Sequence, residues 1–438
     1  MRMRPLAIAV LLLGLIAVPV RAQQQPDPEN PDNDTREQLY ELGRFIAIYQ
    51  RVLATYVDKP APDVLIQGAI GGMMSKLDPH SRYVDPKAMS DMQQELAGKR
   101  VGLGLEVEVQ GGLVKVEHVL DATPAATAGL KAGDIILKLD GDTVRGLSPA
   151  AMLQRMEGAV GSSATLTIRR RGNAVPLSYT LMREIIRAES VRFEVMGEDV
   201  GYIRIREFNE QTPDSLRRVA ERLPTAFRPG TLKGIVLDLR NNPGGLLDPA
   251  IMVSAAFIGK GVLLSIRGRE PDQSKVYIAH GEDITGGVPL VVLINGGTAS
   301  AAEIVAGALQ DFKRATILGT RSFGKGSIQT VTRLPDDSAL VLTTARYYTP
   351  LGRSIQAQGI EPDIAVRQQD PTGAGLGHAT PGEAGLTGHL RGTGLKDESG
   401  SSLYVPPNPT DDIQLRIALD MLRSTERDRS ELWRPPGN

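Results

Sequence analysis

The chain has 438 residues, 50 Lys plus Arg against 51 Asp plus Glu, and no cysteine. That length suggests about three domains, and a net charge of −1 with 4% aromatic residues speaks against a nucleic-acid partner. The missing cysteines exclude disulfides, thiolate metal sites, a cysteine nucleophile and an acylated lipoprotein cysteine, and five histidines without an HExxH pair argue against a zinc hydrolase.

In chain order, Arg2 and Arg4 precede an apolar run from Leu6 to Val18, and Val20-Arg21-Ala22 presents small residues to a signal peptidase. Residues 1–22 therefore read as a cleaved export signal. The alternative is an uncleaved anchor, although thirteen apolar residues fall short of the ~20 that span a bilayer. Export without cysteine fits a bacterial periplasm or the cell exterior. Gln23 to Asn33 reads as a disordered tether. Thr35 then caps a helix with Leu39, Leu42, Phe45, Ile46 and Tyr49 on one face. A second helix spans Asp63 to Leu77, where Gly68, Gly71 and Gly72 suggest close packing. The turn Leu77-Asp78-Pro79-His80-Ser81 precedes a polar helix over Pro86–Leu96. Residues 23–98 thus form a helical region suited to docking or homo-oligomerisation.

Over residues 99–185 the period changes to two, which marks a small β-rich domain. Leu105–Val109 and Leu113–Val119 alternate about a Gln110-Gly111-Gly112 turn, Ile135–Leu139 is a strand, and Ala164–Arg170 is a final one. Ser148 and Pro149 open a helix to about Glu157. Residues 186–368 alternate strands with helices, the signature of α/β layers. The strands are Gly201–Phe208, Gly234–Leu239, Leu290–Ile294, Thr316–Leu318, Ser327–Leu334 and Ala339–Tyr347; the helices are Pro213–Leu223, Pro249–Phe257 and Ser300–Phe312. In the remainder, 369–438, a Gly-rich stretch from Asp370 to Ser402 is expected to be mobile, and Thr410 caps a last helix from Asp411 to about Leu422.

Two segments carry chemistry. In the first, the apolar strand Leu290–Ile294 runs into Asn295-Gly296-Gly297-Thr298-Ala299-Ser300, and a helix starts at Ser300. A serine at a sharp strand-to-helix junction is exposed, and backbone N–H groups of the helix start can hold an oxyanion. The alternative is a serine that only caps the helix. In the second, Lys325 lies between two glycines, which allow close backbone approach. General-base work needs an uncharged amine near neutral pH, so an ordinary lysine pKa of about 10.4 must fall by about 3, a cost of roughly 4 kcal/mol that burial can supply. The alternative is a solvated loop lysine. Gly319 to Lys325 also fits GxxxxGK, but Gly326 stands where a phosphate loop needs Ser or Thr, and a strand follows rather than a helix.

Thr298-Ala299-Ser300-Ala301-Ala302-Glu303-Ile304, followed by Gly324-Lys325-Gly326 and Gln329, resembles the carboxyl-terminal processing proteases, or tail-specific proteases. Thr298 and Ala302 stand where that family usually has serines. The resemblance implies Ser300 as nucleophile and Lys325, 25 positions later, as base. Gln329 would orient the lysine, since alternate residues of a strand share a side. Asp238-Leu239-Arg240-Asn241-Asn242-Pro243-Gly244-Gly245 matches the family's loop after a core strand. It implies an oxyanion hole from Ala301 N–H and a glycine N–H, Gly244 or Gly245. Gly359-Ile360-Glu361-Pro362-Asp363 and Leu77-Asp78-Pro79-His80-Ser81 match further family motifs, the second read as structural. Gly102-Leu103-Gly104-Leu105 resembles the carboxylate-binding loop of a PDZ domain, with a groove between Leu105–Val109 and Pro149–Met156 and added charge from Lys99 and Arg100.

The implied architecture is multidomain α/β: a helical N-terminal region, a PDZ-like domain and a crotonase-like protease core. The implied activity is endoproteolysis near the apolar C-termini of protein or peptide substrates, with no metal or organic cofactor and with room for an adaptor protein. A non-catalytic PDZ scaffold or chaperone is the alternative from another class, and a hydrolase of non-peptide acyl compounds a second.

Overall fold

Side-chain caps set the starts of several helices. The computed structural model describes residues 31–368 and 380–424, apart from 111, 121, 122, 174, 188, 394–396 and 407. The expected export signal and most of the tether lie outside the described residues. The chain divides into two units, the first ending at Ala69 and the second beginning at Ile70. The first holds α1 (Pro31–Thr55) and the start of α2 (Pro62–Met74). Thr35 therefore lies inside α1 rather than at its cap. The expected apolar residues Leu39, Leu42, Phe45 and Ile46 are exposed. A Cβ added at Gly68, Gly71 or Gly72 would meet nothing within 4 Å, so these glycines serve no close packing among the described residues.

In the second unit β1 (Arg82–Val84) leads into α3 (Pro86–Leu96). The Asp85 carboxylate accepts the Ala88 N–H at 2.8 Å, and Pro86 takes the first helical position. The β-rich domain follows: β2 (Lys99–Gly102), β3 (Leu105–Gln110), β4 (Leu113–Val119), α4 (Pro124–Thr127), β5 (Ile135–Leu139), β6 (Asp142–Thr143), α5 (Pro149–Met156), β7 (Ser163–Arg169), β8 (Leu177–Met182) and β9 (Glu184–Arg187). Ser148 caps α5 as expected, accepting the Ala151 N–H. The strand over Ala164–Arg170 is not the last, because β8 pairs beside it. The main sheet runs β3-β4-β5-β7-β8, and β2 pairs with β9. Its core is Leu103, Val114, Val116, Ile136, Met152, Leu166 and Ile168.

The remaining elements are β10 (Val191–Met196), β11 (Val200–Ile205), α6 (Thr212–Ala226), β12 (Gly234–Asp238), α7 (Leu247–Ile258), β13 (Lys260–Gly268), β14 (Lys275–His280), β15 (Leu290–Ile294), α8 (Ala301–Asp311), β16 (Thr316–Gly319), β17 (Ser327–Arg333), β18 (Ala339–Tyr348), β19 (Ile364–Ala365) and α9 (Ile413–Arg423). One sheet has the order β10-β11-β12-β15-β16-β19, parallel from β11 onward. β12 and β15 are buried at every residue, as central parallel strands covered on both faces must be. One face packs against α6, α7 and α8. The other is closed by Leu415, Ala418 and Leu422 of α9. A second sheet is built on β18, which pairs with β17 along one edge and with β1 and β13 along the other.

The C-terminal segment differs from expectation. Asp412, not Thr410, caps α9, accepting the Leu415 N–H at 2.9 Å. Within the stretch expected to be mobile, residues 370–379 and 394–396 lie outside the described residues. The remainder is packed, with Glu383 fully buried.

Candidate active site

Strand β15 ends at Ile294, and the chain must reverse into α8 within six residues. The turn is tied to the neighbouring strand end: the Thr298 hydroxyl donates to the Leu239 carbonyl and accepts the Asn295 N–H. Ala299 N–H donates to the Asn242 carbonyl at 2.9 Å. Ser300 has φ 53 and ψ −117, a left-handed conformation that a non-glycine residue holds only under restraint. Such strain is expected where a nucleophile is pushed clear of its helix.

That restraint comes from Glu303, a fully buried carboxylate in the first turn of α8. Its Oε2 accepts the Ser300 N–H at 2.8 Å and the Lys325 N–H at 2.9 Å. Its Oε1 accepts the Gly324 N–H at 2.7 Å and the Ser322 hydroxyl. Two N–H groups on one oxygen place the Ser300 and Lys325 backbone nitrogens within twice a hydrogen-bond length of each other. Burial pushes the Glu303 carboxyl up to about 7, against the pull of these donors. The Tyr347 hydroxyl adds a second clasp, within reach of the Ser300 and Lys325 carbonyl oxygens.

Lys325 sits between β16 and β17. Its flanking glycines are required by contact: a Cβ on Gly324 would come 2.7 Å from Ser399 Cβ, and one on Gly326 2.5 Å from the Gln356 nitrogen. Burial lowers the lysine's proton affinity, and Arg82 works in the same direction. The charges of Glu383, Glu303 and Asp78 oppose it. Gln329 donates from its amide to Ser327 Oγ at 3.0 Å and Thr343 Oγ1 at 3.1 Å. The strand-parity argument linking it to Lys325 does not carry over. Lys325 precedes β17, and the register shifts between Ile328 and Gln329.

Gly244 and Gly245 take φ of 101 and 130. A Cβ on Gly244 would come 2.8 Å from Ser300 Cβ and 2.9 Å from Ala301 N. The chain can pass the Ser300 turn here only as glycine, and the Ala301 nitrogen at the helix start borders this space. The Gly244 N–H itself donates to Asn242 Oδ1 at 2.9 Å. Gly245 packs instead on Phe208, whose carbonyl oxygen a Cβ would meet at 2.1 Å.

Sequence reasoning missed the residues that hold these groups. Glu303 carried a local signal, a lone carboxylate in the buried, otherwise small and apolar first turns of α8. Asp78 accepts the His80 and Ser81 N–H groups, as a turn residue does, but also the hydroxyl of Thr343, the residue that meets Gln329. His80 Nε2 lies 2.8 Å from Glu383 Oε2.

In the β-rich domain a cavity of about 530 Å³ is lined by Gly102, Leu103, Gly104 and Leu105, with Val107 on one side and Leu153 and Met156 of α5 on the other. Gly104 has φ 82, and a Cβ there would overlap Thr123 at 2.1 Å. Lys99 is not part of the lining, and the Arg100 side chain lies outside the description. Among the described residues, the cation that lines the cavity is Arg206, from just beyond β11, paired with Glu106. Pro243, immediately before the glycine pair, lines the same cavity.

Three family descriptions match the chain: peptidase family S41 over residues 199–366, a PDZ domain over 101–181, and the N-terminal domain of the activating protease CtpB over 16–88. The carboxy-terminal-processing protease of Bartonella bacilliformis is 46% identical, covering 89% of this chain and 90% of its own length. The carboxy-terminal processing protease CtpA of Bacillus subtilis is 32% identical, over 74% and 68%. A putative S41 protease from Bacteroides fragilis shares the fold with a TM-score of 0.52, 21% identity, and coverage of 84% and 91%.

Proposed function

The chain belongs to peptidase family S41, the carboxy-terminal processing proteases, and from that premise we propose an exported serine endopeptidase that works through a Ser300–Lys325 dyad. The observation that carries this reading is the shared carboxylate oxygen of Glu303, which clasps the backbone of both residues. Lys325 Nζ takes the proton as Ser300 Oγ attacks the scissile carbonyl, then returns it to the departing amine. The acyl-enzyme is hydrolysed by water that gives a proton to Lys325 Nζ, which passes it to Ser300 Oγ as the acyl group leaves. Ala301 N–H and an N–H of the Gly244–Gly245 pair stabilise the oxyanion. Burial supports the base role, because it favours the uncharged amine. Gln329 would turn its remaining amide oxygen to the lysine.

The PDZ groove would take the substrate's apolar C-terminal tail as an added strand beside β3. Protein substrates follow from the family and the PDZ domain together. Export, homo-oligomerisation through the N-terminal helices and an adaptor belong to the proposal. The test compares the mature chain with its Ser300→Ala and Lys325→Ala variants. The substrate is an unfolded protein with an apolar C-terminus, offered free or amidated, and intact mass is the readout. Cleavage by wild type alone, weakened by amidation, is the expected result. Cleavage by Lys325→Ala at the normal rate would remove the dyad, and tail binding without cleavage by any form would favour a scaffold.

A further inference from the structure

The described part of residues 380–403 lies beyond residue 366, where the family match ends, yet it runs along both catalytic segments. Glu383 N–H donates to the Phe323 carbonyl at 2.8 Å, and Gly400 N–H to the Ser322 carbonyl at 2.8 Å. Ser401 Oγ donates to the Arg321 carbonyl at 2.7 Å. On the nucleophile side, Gly296 N–H donates to the Ser402 carbonyl at 3.1 Å, and Asn295 reaches the Leu403 carbonyl. A strap tied at these points cannot shift without moving the lysine loop.

The strap delivers one fully buried carboxylate, Glu383. Its Oε1 accepts from Gln356 Nε2 at 2.9 Å, and Gln356 Oε1 in turn accepts the Gly326 N–H, next to the lysine, at 3.0 Å. Its Oε2 meets His80 at 2.8 Å. A buried carboxylate is costly unless paired, and a strap with only a structural task would be served by a neutral amide. We propose that Glu383 is a positioning residue for Lys325: it anchors the Gly324–Gly326 turn through Gln356 and holds a negative charge beside the amine.

The charged groups that act on that amine are Glu383 on the strap, Asp78 on the turn before β1, Arg82 on β1 and Glu303 on α8; His80 meets Glu383, and the Tyr347 hydroxyl reaches the Lys325 carbonyl. Glu383 is the largest of the influences that keep the amine protonated. The inference rests on the dyad reading, so Ser300→Ala and Lys325→Ala run beside it.

The decisive variant is Glu383→Gln. Its amide satisfies both partners, donating to His80 Nε2 and accepting from Gln356, while removing the charge. Two readouts are taken on full-length protein. One is the acid limb of kcat/KM on the unfolded substrate. The other is a ¹³C NMR titration of lysine-labelled enzyme, with the Lys325 resonance assigned by its loss in Lys325→Ala. The NMR reading holds even in an inactive variant, and it separates the lysine from Glu303, whose carboxyl burial pushes up to about 7. Both are expected to move to lower pH by about half a unit or more in Glu383→Gln. An unmoved Lys325 titration overturns the electrostatic half. Gln356→Leu keeps the charge and cuts the tie to Gly326; a severalfold fall in kcat with an unmoved titration is expected, and a wild-type kcat overturns the anchoring half. If Lys325→Ala stays active, the dyad has failed. If it is dead and Glu383→Gln behaves as wild type, only the present inference has failed.

Discussion

At Ser300 a single residue stores the strain of the site, and the atoms around it say what each neighbour contributes. Gly244→Ala places a methyl group between Ser300 Cβ and the Ala301 N–H. Blocking one oxyanion donor costs about 10²–10³ in kcat, so the variant is expected to lose at least about 100-fold in kcat. Circular dichroism should remain that of wild type; wild-type kcat would remove Gly244 from the site. Glu303→Gln leaves a single acceptor oxygen for a set of four donors. Each buried donor left unpaired costs about 1–3 kcal/mol, so both turnover and thermal stability should fall. Because burial holds the Glu303 carboxyl near 7, mild acid protonates it and loosens the clasp in the wild-type protein as well.

Among the elements, α9 is joined to the sheet by a buried charge cluster. Arg240 is 1% exposed; it pairs with Asp238 at the end of β12 and with Asp412 at the cap of α9, and Gln414 accepts from it. Tyr202 of β11 donates to Asp238 at 2.8 Å. Removing one partner of a buried pair leaves the other charge uncompensated, at about 3–5 kcal/mol. Arg240→Ala should lower the denaturant midpoint by the equivalent of that loss; a midpoint equal to wild type would show that the cluster adds nothing net. The sign with pH follows from Asp238, whose carboxyl Arg240 and Arg204 hold below its ordinary value. Its stabilisation is complete above the unfolded carboxylate range and is lost as pH falls through the folded value.

Within the second unit, the PDZ domain and the protease core meet along one cavity. The cavity of the PDZ domain is lined by Pro243 and Arg206 of the core, so under the proposed reading a tail bound there would lie beside the loop that carries Gly244 and Gly245. Glu303 of α8 and Tyr347 of β18 meet the Lys325 backbone, and the charges of Glu383, Arg82 and Asp78 act on its amine. Activity is expected to rise with pH through the lysine's lowered pKa, because only the uncharged amine accepts the serine proton. The pH dependence of kcat/KM checks this; a rate that rises only above the ordinary lysine range near 10.4 would mean that burial does not tune the base.

Local sequence alone determined the strand-to-helix turn at Ser300, the glycines around Lys325, the paired glycines after β12 and the cap at Ser148. Each depends on backbone conformation over a few residues, which residue type dictates. Glu303 was legible in principle from its buried first turn. Tertiary structure alone decided that Glu303 joins the Ser300 and Lys325 segments, that Asp78 reaches Thr343 across 265 positions and that His80 meets Glu383 across 303. It also decided that the described part of a Gly-rich stretch expected to be mobile packs as a strap. Such contacts leave no period or motif in the chain, because a buried polar group is satisfied by whichever partner the fold brings within hydrogen-bond reach.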